Sequence, residues 1–310
     1  MEDQREFKMV EGGAEIFYGI DFYILPEGCI AAVVSFTSPR DACRFSSVSR
    51  IFKSASDSDA VWENFLPSDY RQILSRSDGA LSLLDSLSKK QLFMHLAENS
   101  LLVDDGALSF SIEKSTGKKS YIISAKNLNI VWADTPRYWT WHSDPKSRFS
   151  EVAELVTVCW LEIKGKIKTS LLSPNTDYAA YLVFRMEREA YGFYSPAEVT
   201  LSTAEGKPVT EKFYWESQER YQIVPRRVGI FNQFRAPMSR TQSTNQGEVD
   251  QAKLPKQRSD GWHEIKIGEF STGSDDNEEV EMQVLDVKGG NWKGGLVVEG
   301  IEIRPKIAKE

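Results

Sequence analysis

The chain has 310 residues, of which 41% are hydrophobic and 27% are charged, a composition ordinary for a globular protein of one or two domains. Its 38 basic and 45 acidic residues give a formal net charge of −7. This acidic balance argues against a nucleic-acid-binding protein, because binding to phosphate backbones needs a basic footprint.

The N-terminus, MEDQREFKMVEGG, lacks the basic start and apolar core of a signal peptide. The longest uncharged apolar run elsewhere, CIAAVVSF, is far too short to span a bilayer. The three cysteines, Cys29, Cys43 and Cys159, are odd in number and lie in apolar runs, so we expect buried, reduced thiols. These features predict a protein of the cytoplasm or nucleus that is neither secreted nor inserted in a membrane.

Helical periodicity dominates the chain up to about residue 110. Pro26 suits a first helical turn, and apolar residues follow it at helical spacing. Ser38 and Asp41 form the capping-box pattern of a second helix, and SKKQLFMHLAEN carries a similar start. We predict a helical unit over residues 20–68 and a helical linker over 69–114. The unit has too small a core to stand alone, which predicts that it folds against something else.

Residues beyond 115 alternate between apolar and polar with period two. Eight short candidate strands lack regular helices between them: SYIISA, LNIVWA, VTVCWLEIKGKI, AAYLVFRME, AEVTLST, WHEIKIGEF, VEMQVLDV and LVVEGIEIRP. This arrangement predicts an antiparallel β-sandwich or jelly roll over residues 115–308, and therefore an α+β chain of several domains. The polar stretch 235–258 is predicted to be an exposed loop.

The segment from Leu25 to Trp62 resembles an F-box. The family pattern appears here as Leu25-Pro26, an apolar Ile30, the Val48-Ser49-Arg50 step, Phe52 and a closing Trp62. The resemblance implies docking onto a Skp-type adaptor and, through it, a cullin ubiquitin ligase. We expect four residues to form the contact edge, and three others to hold the unit together: Leu25, Pro26, Ile30 and Val34 for the edge; Val48, Phe52 and Trp62 for the interior. The alternative is a helical cap packed on its own β domain.

The β region resembles the phloem-protein-2 domain of plants, the family of the tobacco-type lectin that binds N-acetylglucosamine oligomers and N-glycan cores. Ordered blocks carry the resemblance, among them NIVWADTPRYWTW, RSDGWHEIKIGEF and GGLVVEGIEIRP. Two tryptophans and two acidic residues, each pair seven residues apart, then correspond to the lectin's sugar-binding positions: Trp132 and Trp139, Glu279 and Asp286. The family normally has Glu where Asp286 stands, and Asp is shorter by one methylene.

An indole offers a flat apolar surface to the C–H face of a sugar, and a carboxylate accepts hydrogen bonds from its hydroxyls. The alternative for the cluster Trp132, Trp139 and Trp141 is a place in the core, and we expect at least one of the three to be buried. Tyr138 and Trp141 are expected to pack. Trp160, Trp262 and Trp292 are assigned to the core or to structural turns.

Enzyme motifs are missing from the sequence. The three histidines are scattered, and neither a CxxC pair nor a nucleophile elbow, phosphate loop or dinucleotide fingerprint occurs. We therefore predict a non-catalytic subunit without metal or cofactor. Three hypotheses remain: a ligase adaptor that reads N-glycans on a target glycoprotein, an adaptor whose β domain binds a protein surface, and a stand-alone cytosolic lectin.

Overall fold

The computed structural model describes residues 25–204, 206–215, 253–274 and 277–307, so most of the predicted 235–258 loop lies outside it. Within these ranges no helix has the length and apolarity that crossing a bilayer requires. The helices come first in the chain: α1 (Glu27–Ser35), α2 (Pro39–Phe45), α3 (Arg50–Asp57), α4 (Asp59–Phe65), α5 (Tyr70–Ser75), α6 (Ser82–Ser86) and α7 (Lys89–Glu98).

Side-chain caps begin two of these helices where the sequence predicts them. The Ser38 hydroxyl accepts a hydrogen bond from the Asp41 backbone N–H at the start of α2. Ser88 and Gln91 complete a reciprocal capping box at the start of α7. Each cap satisfies backbone donors that have no partner within the helix, which fixes where the helix begins.

The β region is an antiparallel sandwich, as predicted. Its strands are β1 (Leu101–Val103), β2 (Leu108–Ile112), β3 (Lys119–Ser124), β4 (Asn129–Ile130), β5 (Trp139–His142), β6 (Val152–Leu155), β7 (Leu161–Lys168), β8 (Thr176–Tyr191), β9 (Ala197–Ser202), β10 (Val209–Phe213), β11 (Lys256–Gln257), β12 (His263–Thr272), β13 (Glu279–Asp286) and β14 (Gly294–Pro305). The larger sheet has the order β1-β2-β3-β14-β8-β12-β11, and β6 joins β5 to β14. The smaller sheet has the order β10-β9-β13-β7-β4.

The larger sheet begins earlier than the predicted boundary at residue 115. Strands β1 and β2 form a hairpin inside the stretch assigned to a helical linker. Its turn contains Asp104, Asp105 and Gly106, all at positive φ, a conformation that Asp and Gly tolerate. Strands of three and five residues are too short to show a clear period in the sequence.

Helices and sandwich share one hydrophobic core, which runs from Ile30 in α1 to Ile303 in β14. The predicted need of the helical unit for a packing partner is therefore met within the chain. A salt bridge of 3.0 Å joins the buried Lys119 ammonium of β3 to Asp69, just before α5. The two regions form a continuous packed body.

Gly117 lies in the turn before β3, against Phe65 of α4 and Phe93 of α7. Its φ is +71°, and an added Cβ would clash with the Phe65 carbonyl oxygen. We expect Gly117→Ala to lower the free energy of unfolding by about 2–4 kcal/mol, from backbone strain and the displaced contact. Gly106 is the control, because its φ is +79° but nothing lies within 4 Å of an added Cβ. Chemical denaturation of both variants separates the effect of the Phe65 contact from that of backbone strain. Equal losses of unfolding free energy in the two variants would show that the contact contributes nothing.

The cysteines do not share one environment. Cys29 is exposed on α1, whereas Cys43 and Cys159 are half-buried. The prediction that all three are buried is therefore wrong. In α1 the core-facing residues are Ile30, Ala31 and Val34, which turns Cys29 toward the opposite face of the helix.

Candidate functional site

Trp132 lies in a tight turn that directly follows β4. Its φ is +62°, which is rare for any residue with a bulky side chain and typical of functional sites. The turn is tied to β7 by a 3.1 Å hydrogen bond from the Val131 N–H to the Glu162 carbonyl. The Trp132 side chain is 41% exposed, and its ring packs 5.2 Å from the Tyr138 ring. The structure thus presents one indole to solvent in a restrained orientation.

Two further indoles hold this turn in place. The Trp139 indole Nε1–H donates to the Val131 carbonyl at 3.2 Å, and the Trp141 indole Nε1–H donates to the Ala133 carbonyl at 3.1 Å. These carbonyls belong to the residues immediately before and after Trp132. Because both are satisfied by fixed indoles, the strained conformation between them has few ways to relax. The three tryptophans therefore divide into one displayed ring and two supports.

Trp139 does not offer a surface to a ligand. Its side chain is only 2% exposed and belongs to the main core. The sequence-based role of a direct sugar contact is incompatible with this burial, because a sugar stacks on an accessible ring face. Trp141 and Tyr138 pack partly buried against the same core, as predicted.

The two predicted acidic residues are not brought together. Glu279 and Asp286 occupy opposite ends of β13, opposite Lys168 and Leu161 of β7. Seven residues of strand span about 23 Å, and an odd separation turns the two side chains to opposite faces of the sheet. Glu279 is exposed and forms a 2.7 Å ion pair with Lys166. It therefore lies far from the Trp132 turn, which adjoins the Leu161 end of β7.

Asp286 is near the Trp132 end of the sandwich but points into the interior. It is 1% exposed, accepts a 3.0 Å hydrogen bond from the Trp215 indole and lies 3.3 Å from the Lys293 ammonium. Burial raises the pKa of Asp286, while the Lys293 charge and the Trp215 hydrogen bond oppose that shift. A buried carboxylate with these partners is a structural group, so it does not reach a sugar hydroxyl.

Trp160 and Trp292 are the aromatic residues that sequence reasoning missed. They lie in bends and loops as assigned, but their side chains are 46% and 52% exposed. Trp262, by contrast, is buried as predicted. The alternation of side chains along β7 could have identified Trp160. The next residue, Leu161, faces the core, so Trp160 falls on the outer face of the sheet.

The predicted adaptor edge is also placed differently. Ile30 and Val34 are 2% and 1% exposed and pack into the core, Leu25 is half-buried, and Pro26 is exposed. Residues four apart on a helix share a face, so the same spacing that marked Ile30 and Val34 as apolar puts both toward the interior. Other, larger apolar residues of the F-box region are exposed, among them Cys29, Val33, Phe36, Val48 and Ile51.

The predicted interior residues of this unit are partly confirmed. Trp62 is buried, donates to the Ser56 carbonyl at 2.7 Å and packs edge-on against Phe93. Phe52 packs partly buried against the core. Val48 is 60% exposed, so its assignment to the interior is wrong.

Comparison with known proteins finds two family models. The F-box domain model matches residues 22–64, and the phloem protein 2 model matches residues 118–305. The Arabidopsis thaliana F-box protein PP2-B15 is 42% identical over 92% of this chain and 98% of its own length. F-box protein PP2-B1 of the same plant is 41% identical over 92% of this chain and 90% of its own. A mannanase structure from Podospora anserina matches 62% of this chain and 28% of its own, at 6% identity and with a TM-score of 0.30.

Proposed function

The chain belongs to the family of F-box proteins that carry a phloem protein 2 domain, and from this premise we propose that it selects glycoproteins for a ubiquitin ligase. It is an F-box substrate adaptor with a lectin-like domain. The finer proposal is that the helices dock a Skp-type adaptor and the sandwich binds N-glycans containing N-acetylglucosamine, in the cytoplasm or nucleus. Its contribution would be proximity, because an adaptor holds its target beside the transferring enzyme without catalytic residues of its own.

The proposed adaptor end is the exposed apolar face of the F-box helices. Phe36 is 90% exposed, and Val33 in α1, Val48 just before α3 and Ile51 in α3 are exposed as well. Exposed apolar side chains on a short helical unit are typical of a surface that becomes buried in a complex. The proposed contact residues are therefore these, together with Pro26, rather than the buried Ile30 and Val34.

A double substitution tests this face. We expect Val33→Asp/Phe36→Asp to weaken binding to a Skp-type adaptor by about 2 kcal/mol or more, about 30-fold, because charges would be buried at the contact. Val209→Asp/Ile307→Asp is the charge-matched control on exposed apolar residues of the sandwich. Co-purification and titration calorimetry measure both variants. Equal adaptor binding by the two double variants would contradict this assignment.

The observation that carries the glycan proposal is Trp132, an exposed indole in a strained turn that is supported by the buried Trp139 indole and the partly buried Trp141 indole. A rigid ring binds the apolar face of a sugar with little loss of conformational entropy, since its orientation is already set. Backbone strain that the surrounding structure maintains is frequent at binding sites.

A glycan array probed with the full chain tests this proposal. We expect signals on glycans that expose N-acetylglucosamine and none on arrays stripped of them. A folded chain that binds no glycan on the array would overturn the lectin assignment while leaving the adaptor assignment to be judged by the Val33/Phe36 experiment.

A further inference from the structure

The larger sheet carries a polar groove on the face opposite the core. It consists of two adjoining cavities, of about 170 and 370 Å³, which share Ser111 and Glu302 in their walls. The C-terminal end of α7 closes one side of the smaller cavity with Ala97 and Glu98. The two cavities together are called the outer groove here. The Trp132 turn is elsewhere, since it follows a strand of the smaller sheet.

The alternation of side chains along the strands builds the floor of the outer groove. Phe110 of β2 and Tyr121 of β3 point into the core, so the residues next to them face the groove. Ser109 pairs with Ile122, and Ile122 pairs with Glu302 of β14. These three side chains form one row across neighbouring strands, and the row spans about 10 Å.

Ser109 is a buried polar residue that lacks a partner. It is only 2% exposed, and its hydroxyl forms no hydrogen bond within the part of the chain that the structure describes. Buried hydroxyls in native proteins normally have a partner, because leaving one unpaired is costly. Since Ser109 lines the smaller cavity, its hydroxyl is available to a polar group that enters there.

Glu302 offers one fixed and unpaired oxygen to the same cavity. Its Oε2 atom accepts hydrogen bonds from Arg258 at 2.5 Å and from Arg304 at 2.7 Å. These two guanidinium groups set the position of the carboxylate. No hydrogen bond to its Oε1 atom comes from any described residue. Hydrogen bonds to a carboxylate are stronger than those to a neutral acceptor, so Oε1 suits a charged donor.

The charges around the smaller cavity favour a cation. The end of α7 contributes the negative pole of its helix dipole, and Glu98 adds a second carboxylate. The guanidinium groups nearby are already bonded to carboxylates, Arg148 to Glu299 at 3.1 Å and Arg304 to Glu302. Among the described residues no cluster of His, Cys, Asp or Glu could hold a metal ion. The cation that fits is therefore an organic ammonium group.

We propose that the outer groove binds a lysine side chain of the target protein, with its ammonium group between Glu302 and Ser109. A lysine suits the groove because its methylene stem can pack on Ile122 and Ala97 while its three N–H donors reach the two acceptors. One side chain gives a dissociation constant on the order of millimolar, so the groove adds selectivity among captured targets and does not capture them alone. This contact goes beyond glycan recognition and is independent of it.

Titration of the full chain with a lysine peptide tests the proposal. The probe is a pentapeptide of glycine, alanine, lysine, alanine and glycine with both ends blocked, and the NMR signal of the Ile122 methyl groups reports binding. We expect replacement of the lysine by norleucine or by acetyl-lysine to weaken binding about tenfold or more, because each keeps the stem and removes the charge. A peptide that carries alanine in place of lysine and has a free N-terminus distinguishes the α-amino group as the source of the ammonium.

Two substitutions locate the contact. Glu302→Gln keeps an oxygen for the guanidinium groups but directs amide donors into the groove, so lysine binding should weaken about tenfold. Ser109→Ala leaves every ion pair intact and should weaken binding about threefold, which keeps the test decisive if Glu302→Gln does not fold. Glu281→Gln and Ser202→Ala are the matched controls on the smaller sheet, and both should bind as the wild type does.

The outcomes are independent of the glycan experiments, because the peptides carry no sugar. Equal binding of the lysine and norleucine peptides would overturn the proposal, as would lysine binding that is unchanged in both Glu302→Gln and Ser109→Ala. Equal or tighter binding of the peptide with the free N-terminus would assign the groove to an α-amino group and overturn the choice of lysine. Trp132→Gly should bind the lysine peptide as the wild type does, whatever its effect on sugar binding.

Discussion

Trp132→Gly is expected to abolish most sugar binding while leaving the protein as stable as the wild type or more so. Removing the displayed indole deletes the central contact, at a cost of about 2–4 kcal/mol in binding free energy. Glycine adopts φ near +62° without strain, so the free energy of unfolding should stay level or rise by up to about 1 kcal/mol. Glycan titration and thermal unfolding measure the two effects. Loss of stability without loss of binding would contradict the role of Trp132.

Trp139→Phe is the companion variant, because it keeps a buried aromatic ring but removes the N–H that holds the Val131 carbonyl, together with part of the buried indole volume. An unsatisfied carbonyl beside the strained turn costs about 1–3 kcal/mol, which should loosen the turn and weaken sugar binding about tenfold. A double-mutant cycle with Trp132→Gly identifies the route. If Trp139 acts through Trp132, the double variant binds no more weakly than Trp132→Gly alone. Additive losses would show that Trp139 contacts the ligand itself.

Asp286→Ala is expected to cost about 3–5 kcal/mol of folding stability, because it leaves the Lys293 ammonium buried without its counter-charge. Glu279→Ala is the control on the same strand, where an exposed carboxylate should change stability by less than about 0.5 kcal/mol. Urea denaturation compares the two.

A double substitution checks the cause of that loss. Asp286→Leu/Lys293→Met removes both charges and should recover much of the stability, since the cost comes from one unpaired buried charge. A stable Asp286→Ala protein with impaired sugar binding would instead support the original assignment of Asp286 to the sugar site.

The sequence predicts the architecture because its signals are local and repeated. Capping residues such as Ser38 and Ser88 indicate where helices begin. The alternation of apolar and polar residues in β7, β9 and β13 indicates half-buried strands. The hairpin of β1 and β2 is not predicted from the sequence, because its strands are too short to show a two-residue period.

Site residues are harder to predict because exposure depends on which face a strand or helix turns inward. Trp139 and Trp132 are seven residues apart and chemically identical, yet one is a support and the other a displayed ring. Ile30 and Val33 show the same ambiguity on α1, where spacing identifies apolar residues but does not say which of them is buried. The hydrogen bonds that hold the Trp132 turn could be found only in the structure, since nothing in the sequence marks the Val131 and Ala133 carbonyls as their acceptors.

The most direct test of the account is capture of a target glycoprotein by the chain bound to a Skp-type adaptor, before and after enzymatic removal of the N-glycans. The account predicts that the wild-type complex captures only the glycosylated form and that the Trp132→Gly complex captures neither. Capture that survives complete deglycosylation would contradict glycan recognition and show that the sandwich reads a protein surface.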